Sequence, residues 1–290
     1  MGYVGRFAPS PTGPLHFGSL IAAVASYLDA RHVGGKWLLR IEDLDPPRES
    51  KTAPEEIIEQ LKHLGLNWDG PIFYQGNRDD AYNEVIELLG SAQRVYPCTC
   101  SRKQIPTVYP GTCRNRGFDQ TTDDYAIRFK LRPGNVEFID RVFGRQHWDL
   151  SEEVGDFIIR RKDGLFAYQL AVVVDDIDQG VNQIVRGVDL LDSTPRQLAL
   201  YEALGRPPPS YLHVPIVVDG SGNKLSKQAH ARPISVDNPV EALRSALVEL
   251  GQNPQRPSRN PGELLARASE QWQPNLIPRQ AELAAPAFYL

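Results

Sequence analysis

Arg6-Phe7-Ala8-Pro9-Ser10-Pro11-Thr12-Gly13-Pro14-Leu15-His16-Phe17-Gly18-Ser19 is the stretch whose reading decides the fold. Tyr3 to Ala8 is a short β-prone run. Pro9, Pro11, Gly13 and Pro14 then forbid regular structure, because proline fixes φ and removes a donor while glycine punctuates. From Gly18 the apolar residues Leu20, Ile21, Val24, Tyr27 and Leu28 recur at the spacing of one helical face. Gly34-Gly35 stops that helix, and Lys36 to Ile41 reads as a second strand. Strand, rigid loop, helix and strand make a βαβ unit, whose crossover is right-handed in nearly every case. The loop delivers His16, Gly18 and unpaired N–H groups to a helix N-terminus, which favours phosphate.

About two hundred residues later the chain offers a second charge-neutralising device. Val214-Pro-Ile-Val-Val218 reads as a strand and Asp219-Gly-Ser-Gly222 as a turn, followed by Asn223-Lys-Leu-Ser-Lys227. Lys224 and Lys227 flank a serine in a loop, where they can offset β- and γ-phosphate charge as pyrophosphate departs. Two such devices in one chain point to a single ATP held between them.

The two stretches resemble the HIGH and KMSKS motifs of class I aminoacyl-tRNA synthetases. The fuller set resembles the glutamyl branch: Arg6 to Gly13, Arg40-Ile-Glu-Asp43, and Arg186-Gly-Val-Asp189 followed by Ser193-Thr-Pro-Arg-Gln197. The resemblance covers about residues 3 to 230, with two departures. His16-Phe-Gly-Ser19 lacks the second histidine of HIGH, and the late motif reads Lys-Leu-Ser-Lys-Gln with both lysines kept. Only 62 residues follow Gln228, helical in pattern at 239–250 and 262–271. That is too little for the large helical anticodon-binding region of a full glutamyl-tRNA synthetase, and enough for a small helical cap. A chain shortened in this way resembles the glutamyl-queuosine tRNA(Asp) synthetases. That family activates L-glutamate with ATP without waiting for tRNA, then esterifies the cyclopentenediol of queuosine in the anticodon of tRNA(Asp).

The fold expected is α/β: a Rossmann-type parallel sheet of the class I synthetases, split by a zinc-bearing insert, with a C-terminal helical cap. Residues 1–95 would form the first half and 96–163 the insert that contacts the acceptor. Residues 164–222 would complete the sheet, and 223–290 would carry the lysine loop and cap, without an anticodon-binding domain. The resemblance implies a glutamate pocket of Arg6, Ala8, Ser10, Glu42, Tyr168 and Arg186, and an ATP site at His16, Gly18 and Lys227. His16, Lys224 and Lys227 would serve catalysis, with Mg²⁺ accompanying ATP. Chemistry agrees: a carboxylate calls for arginine's fork, an ammonium calls for an acid, and ligands bind at the ends of parallel strands.

Cys98, Cys100 and Cys113 are the three cysteines, and an odd count in a reduced compartment argues for metal over disulfides. Structural zinc wants four ligands. From chemistry alone His147 ranks first as the fourth; the family pattern implies Tyr109, and water is the remaining choice. The role expected of zinc is to fold a small loop-rich insert.

The net charge of −4 conceals a local excess, 13 Lys/Arg against 9 Asp/Glu between Arg94 and Lys162, suited to steering a polyanion. No apolar run approaches the ~20 residues of a membrane span, and the N-terminus lacks a signal-peptide layout. The expectation is a cytoplasmic monomer. The rival readings are a short conventional enzyme charging the 3′ end of tRNA(Glu), a different nucleotidyltransferase, and a non-catalytic tRNA- or nucleotide-binding paralogue.

Overall fold

The computed structural model describes residues 2–105, 107–115, 124–219, 222, 233–234, 237–254 and 257–286. The opening stretch forms β1 (Val4–Phe7), α1 (Phe17–His32) and β2 (Lys36–Ile41), with β1 and β2 parallel from Val4 opposite Lys36 to Phe7 opposite Leu39. Helix α1 begins at His16, whose extended backbone and Nδ1 cap the helix by accepting the Ser19 N–H at 3.2 Å. Ten of its sixteen residues are buried, because the helix lies between the sheet and the C-terminal helices. The proline-rich loop is held from beneath. Gln60 of α2 (Ala53–His63) is buried, and its Oε1 accepts the Leu15 N–H at 2.7 Å.

Beyond α2, β3 (Phe73–Tyr74) adds in parallel to β2, and α3 (Asp79–Ser91) leads to β4 (Val95–Cys98). Strand β4 pairs antiparallel with β5 (Ala126–Phe129), and β5 with β8 (Phe157–Arg160). Between them β6 (Asn135–Asp140) and β7 (Gly144–Asp149) form a hairpin that leaves this small sheet. It joins the main one, where β6 runs parallel to β10 (Ser210–Val214).

Helix α4 (Tyr168–Asp178) returns the chain to β9 (Gln183–Gly187), and α5 (Thr194–Ala203) leads from there to β10, parallel to β9 with His213 opposite Arg186. Asn182 joins the two halves: it donates its N–H to Val4 O and accepts the Val4 N–H, both at 3.0 Å. The parallel layer therefore runs β3-β2-β1-β9-β10-β6, with β7 antiparallel at its edge. This is the doubly wound arrangement, in which the order reverses between β1 and β9 and the crevice at that point takes ligands.

One expected strand divides. Residues 214–218 do not run as a single strand, because Pro215 has no N–H to give the ladder. Strand β10 ends at Val214, and β11 (Ile216–Val218) pairs instead with β12 (Glu282–Ala284) near the C-terminus. Helices α6 (Pro239–Glu249) and α7 (Pro261–Glu270) cover α1, as the sequence pattern predicts. Asp29 of α1 fastens that covering. Its carboxylate accepts from Tyr3 Oη, both Nη groups of Arg141 and Trp272 Nε1, at 2.6 to 3.0 Å. No helix among the described residues is long and apolar enough to cross a membrane.

Candidate active site

A cavity of about 620 Å³ opens at the switch point, walled by the ends of β1, β2 and β9, the start of α1 and the start of α4. Arg6, Ala8, Ser10, His16, Gly18, Glu42, Tyr168 and Arg186 all line it. The volume falls in the range of small-molecule sites. Lys224 and Lys227 lie outside the described residues. The described chain resumes at Pro233, which bridges His16, while Ile234 donates its N–H to Leu15 O at 2.9 Å.

At one end His16 and the first turn of α1 form the phosphate-type corner. Because His16 Nδ1 accepts the Ser19 N–H, a neutral ring carries its proton on Nε2, a donor. At the other end the charges are set deep. Arg6 is 3 % exposed and its Nε donates to Asp176 Oδ1 at 3.0 Å. Fully buried Arg40 donates to the same oxygen at 2.5 Å through Nη2 and to Gln179 Oε1 at 2.8 Å through Nε. Burial pushes the Asp176 pKa up, but the Arg40 and Arg6 cations outweigh it and hold the carboxyl below its ordinary range. For Glu42, at the cavity wall, burial wins over the Arg40 and Arg6 cations and its pKa is pushed up to about 7.

Arg186, also buried, is enclosed differently. Its Nε donates to His213 Nε2 at 3.0 Å, its Nη1 to Gln197 Oε1 at 2.8 Å and Tyr168 Oη at 3.3 Å, and its Nη2 to Thr194 Oγ1 at 2.8 Å and Leu190 O at 3.2 Å. All five donors of the guanidinium have protein partners. The Tyr168 hydroxyl, accepting from Arg186, keeps its own proton to donate, and burial pushes its pKa up, so it stays a phenol. A Cβ at Gly187 would meet Asp189 Oδ1 at 2.4 Å, so any other residue there would require that carboxylate to move.

Away from the cavity, the sulfurs of Cys98, Cys100 and Cys113 lie within 4.8 Å of one another. Tyr109 Oη is 3.5 Å from Cys98 Sγ and 3.7 Å from Cys100 Sγ, and Cys100 and Cys113 Sγ are 3.6 Å apart. A tetrahedral zinc with Zn–S near 2.3 Å and Zn–O near 2.0 Å sets S···S at about 3.8 Å and O···S at about 3.5 Å. Those three spacings match donors placed around one zinc. Burial raises the Cys113 thiol, but hydrogen bonds from Tyr109 and the Thr99 backbone prevail and bring it down to about 7, near the ionised state a metal needs. His147 stands elsewhere, exposed on β7 opposite Glu137.

The sequence reading missed Asp176, Gln75, Asp140 and His213. A signal for Asp176 was present: Asp175-Asp176 interrupts the apolar run Leu170 to Val174 and follows Tyr168 at two helical turns. Asp175 uses its carboxylate on Gln75 Nε2, Arg78 and Tyr82, at 2.6 to 3.2 Å.

A parallel sheet reversed at its centre, a histidine-capped helix at the crevice and a charge-lined cavity define a class I tRNA synthetase catalytic domain. The family model "tRNA synthetases class I (E and Q), catalytic domain" matches residues 3–109 and 112–258, and the chain belongs to that family. Within it, the chain is 52% identical over 286 residues to the Glutamyl-Q tRNA(Asp) synthetase of Pseudomonas paraeruginosa, covering 97% of each protein. It is 51% identical over 286 residues to the protein of that name in Pseudomonas aeruginosa, again covering 97% of each. Among solved structures, it superposes on the glutamate-tRNA synthetase of Elizabethkingia anophelis with a TM-score of 0.83 at 23% identity. That match covers 100% of this chain and 69% of the other, and it bears on the fold alone.

Proposed function

We propose that this chain activates L-glutamate with ATP and passes the glutamyl group to the queuosine in the anticodon of tRNA(Asp). The observation that carries the first step is one cavity holding Glu42 for an ammonium, Arg6 and Arg186 for carboxylates, and a capped helix N-terminus for phosphate. The acceptor is supported by similarity over 97% of the length of each of two relatives that bear the name Glutamyl-Q tRNA(Asp) synthetase.

In the first step the glutamate α-carboxylate oxygen attacks the α-phosphorus in line. The new O–P bond gives glutamyl-adenylate, and the broken P–O bond leaves with its electrons on pyrophosphate. No protein nucleophile takes part, so positioning and charge stabilisation supply the rate. Arg6, with Nε fixed by Asp176, and Arg186 draw the substrate's carboxylates, and Ala8 and Ser10 close the wall. Tyr168 donates its phenol to the side-chain carboxylate, and ionised Glu42 pairs with the α-ammonium. His16 Nε2–H and the N–H groups near Gly18 take the phosphates; Lys224 and Lys227 stabilise the departing charge. Mg²⁺ arriving with ATP supplies further counter-charge. In the second step a queuosine hydroxyl oxygen attacks the acyl carbon and gives up its proton, an ester bond forms, and the bond from the acyl carbon to the phosphate oxygen breaks, its electrons leaving with AMP. Activation on this reading does not wait for tRNA.

Residues 1–95 and 164–222 serve as the two halves of the catalytic fold, 96–163 as the acceptor-side insert and 223–290 as loop and cap. In the insert Cys98, Cys100, Tyr109 and Cys113 would hold zinc, which would tie the loop to β4 when bound. The working form is a cytoplasmic monomer. The test is transfer of labelled glutamate to total tRNA with and without queuosine. Label on queuosine-containing tRNA(Asp) alone is expected. Equal label on queuosine-free tRNA(Glu) would make the chain a shortened conventional synthetase, and no transfer with no glutamate-dependent pyrophosphate exchange would leave a binding protein.

A further inference from the structure

His213 is fully buried on β10, next to Arg186 on β9, and the proposed chemistry makes no direct use of it. Its two ring nitrogens have unequal neighbours. Nε2 lies 3.0 Å from Arg186 Nε, and an arginine nitrogen can only donate, so Nε2 holds a lone pair. The proton therefore sits on Nδ1, which faces Asp140 Oδ2 at 2.7 Å. Asp140 is 1 % exposed and is fixed in turn by the N–H groups of Val142, Phe143 and His213, at 2.9 to 3.0 Å. Burial, reinforced by the Arg186 cation, lowers the His213 pKa against the pull of Asp140, in keeping with a neutral ring.

A chain of three buried groups thus runs from the backbone at the end of β6, through a ring in one tautomer, to the cation at the cavity. We infer that Asp140 and His213 are positioning residues for glutamate recognition: Asp140 fixes the tautomer of His213, and His213 as acceptor sets the Arg186 guanidinium facing the substrate. The inference rests on the reading that Arg186 faces glutamate. Arg186 is the fourth of the five residues of β9, near the strand end at the cavity; the plane of its guanidinium turns about the Cδ–Nε bond, and the bond to His213 is the one that holds Nε. With the acceptor removed, a buried donor loses its partner, and the fork rotates away from Gln197, Thr194 and Tyr168.

Two substitutions of similar size separate this role from mere packing. Asn places its amide nitrogen near Nδ1 and keeps the donor to Asp140, but has nothing at Nε2. Gln reaches Nε2's place with its carbonyl oxygen and keeps the acceptor for Arg186. Glutamate-dependent pyrophosphate exchange is measured on wild type, His213→Asn and His213→Gln, varying glutamate and ATP separately, with the melting temperature of each. Expected is a rise of about tenfold or more in KM for glutamate in His213→Asn, with KM for ATP unchanged, and recovery of most of that loss in His213→Gln. Equal glutamate KM values in the two variants, or equal rises for glutamate and ATP, would overturn the inference. Nitrogen-15 spectra of the wild-type imidazole give an outcome independent of how the variants fold: a proton on Nδ1 supports the chain, and a proton on Nε2 refutes it. Wild type without glutamate-dependent exchange would instead sink the proposed function.

Discussion

Replacing Asp176 by alanine tests the electrostatic floor of the cavity most directly. Its carboxylate is 1 % exposed and sits between Arg6, 3 % exposed, and Arg40, wholly buried. Removing it leaves two guanidiniums side by side without their shared anion. Removing one member of a buried ion pair costs about 3–5 kcal/mol, because the partner charge stays desolvated. Two cations are stranded here, so the upper half of that range applies. At about 2–4 °C per kcal/mol for chains near this size, the melting temperature should fall by roughly 10 °C or more. Asp176→Asn, which keeps one acceptor oxygen, should fall by less. The pH dependence follows from the direction of the shift. The folded pKa of Asp176 lies below the unfolded value of about 3.9, so its contribution is complete above pH ~4 and is lost as pH falls through the folded pKa. The gap between calorimetric melts of wild type and Asp176→Asn should therefore start to close as pH falls below ~4. An Asp176→Ala protein melting within about 2 °C of wild type, or a wild type–Asn gap unchanged down to pH 3, would refute the reasoning.

Glu42, with its pKa pushed up to about 7, should ionise across the neutral range, and only the carboxylate pairs with an ammonium. kcat/KM for glutamate in pyrophosphate exchange should therefore climb about tenfold per unit below pH 7 and level off above it, and should be low and flat in Glu42→Gln. A wild-type profile flat from pH 6 to 8 would contradict that assignment. Tyr109→Phe and Cys113→Ser should each lower zinc retained after dialysis, read by atomic emission, with the larger loss in Cys113→Ser; full retention in both would remove these residues from the ligand set. Lys227→Ala should reduce kcat in exchange about a hundredfold while changing KM for ATP little, if Lys227 meets the departing pyrophosphate as proposed; an unchanged rate would free Lys227 of that role.

Local chemistry made part of this structure legible. The apolar spacing after Gly18, the glycines at 34 and 35 and the run Lys36 to Ile41 gave α1 and β2 with their ends nearly in place, because each signal acts within one or two turns of chain. What the sequence concealed depends on distant pairing. Nothing near Val218 announces a partner at Glu282–Ala284, and nothing in Asn135–Asp149 tells that this hairpin leaves the insert for β10. Arg6, Glu42, Tyr168 and Arg186, singled out by resemblance, line one cavity, whereas Asp176 and His213 behind the arginines were not singled out. Asp176 reads as an acid at a helix end and His213 as a lone polar residue in a strand, until the sheet sets each behind an arginine.

The two arginines of the cavity differ in a way that suits two tasks. Arg6 is backed by an aspartate, so much of its charge is already balanced, and what it offers a ligand is direction. Every group bonded to Arg186 is neutral: an imidazole, an amide, two hydroxyls and a peptide carbonyl. Its hydrogen bonds are saturated while, among the described residues, no direct partner compensates its charge, and in a half-enclosed cavity an unbalanced charge acts over several ångströms. A carboxylate approaching Tyr168 would meet a phenol proton already polarised by that cation, so charge and hydrogen bond arrive through one contact. The same division accounts for Glu42. Arg6 and Arg40 share Asp176 and lower the Glu42 pKa too little to overcome burial, which leaves the acid poised near neutrality until an ammonium arrives. Recognition of a zwitterion with a second carboxylate thus rests less on the number of charges than on which of them are balanced before the substrate binds.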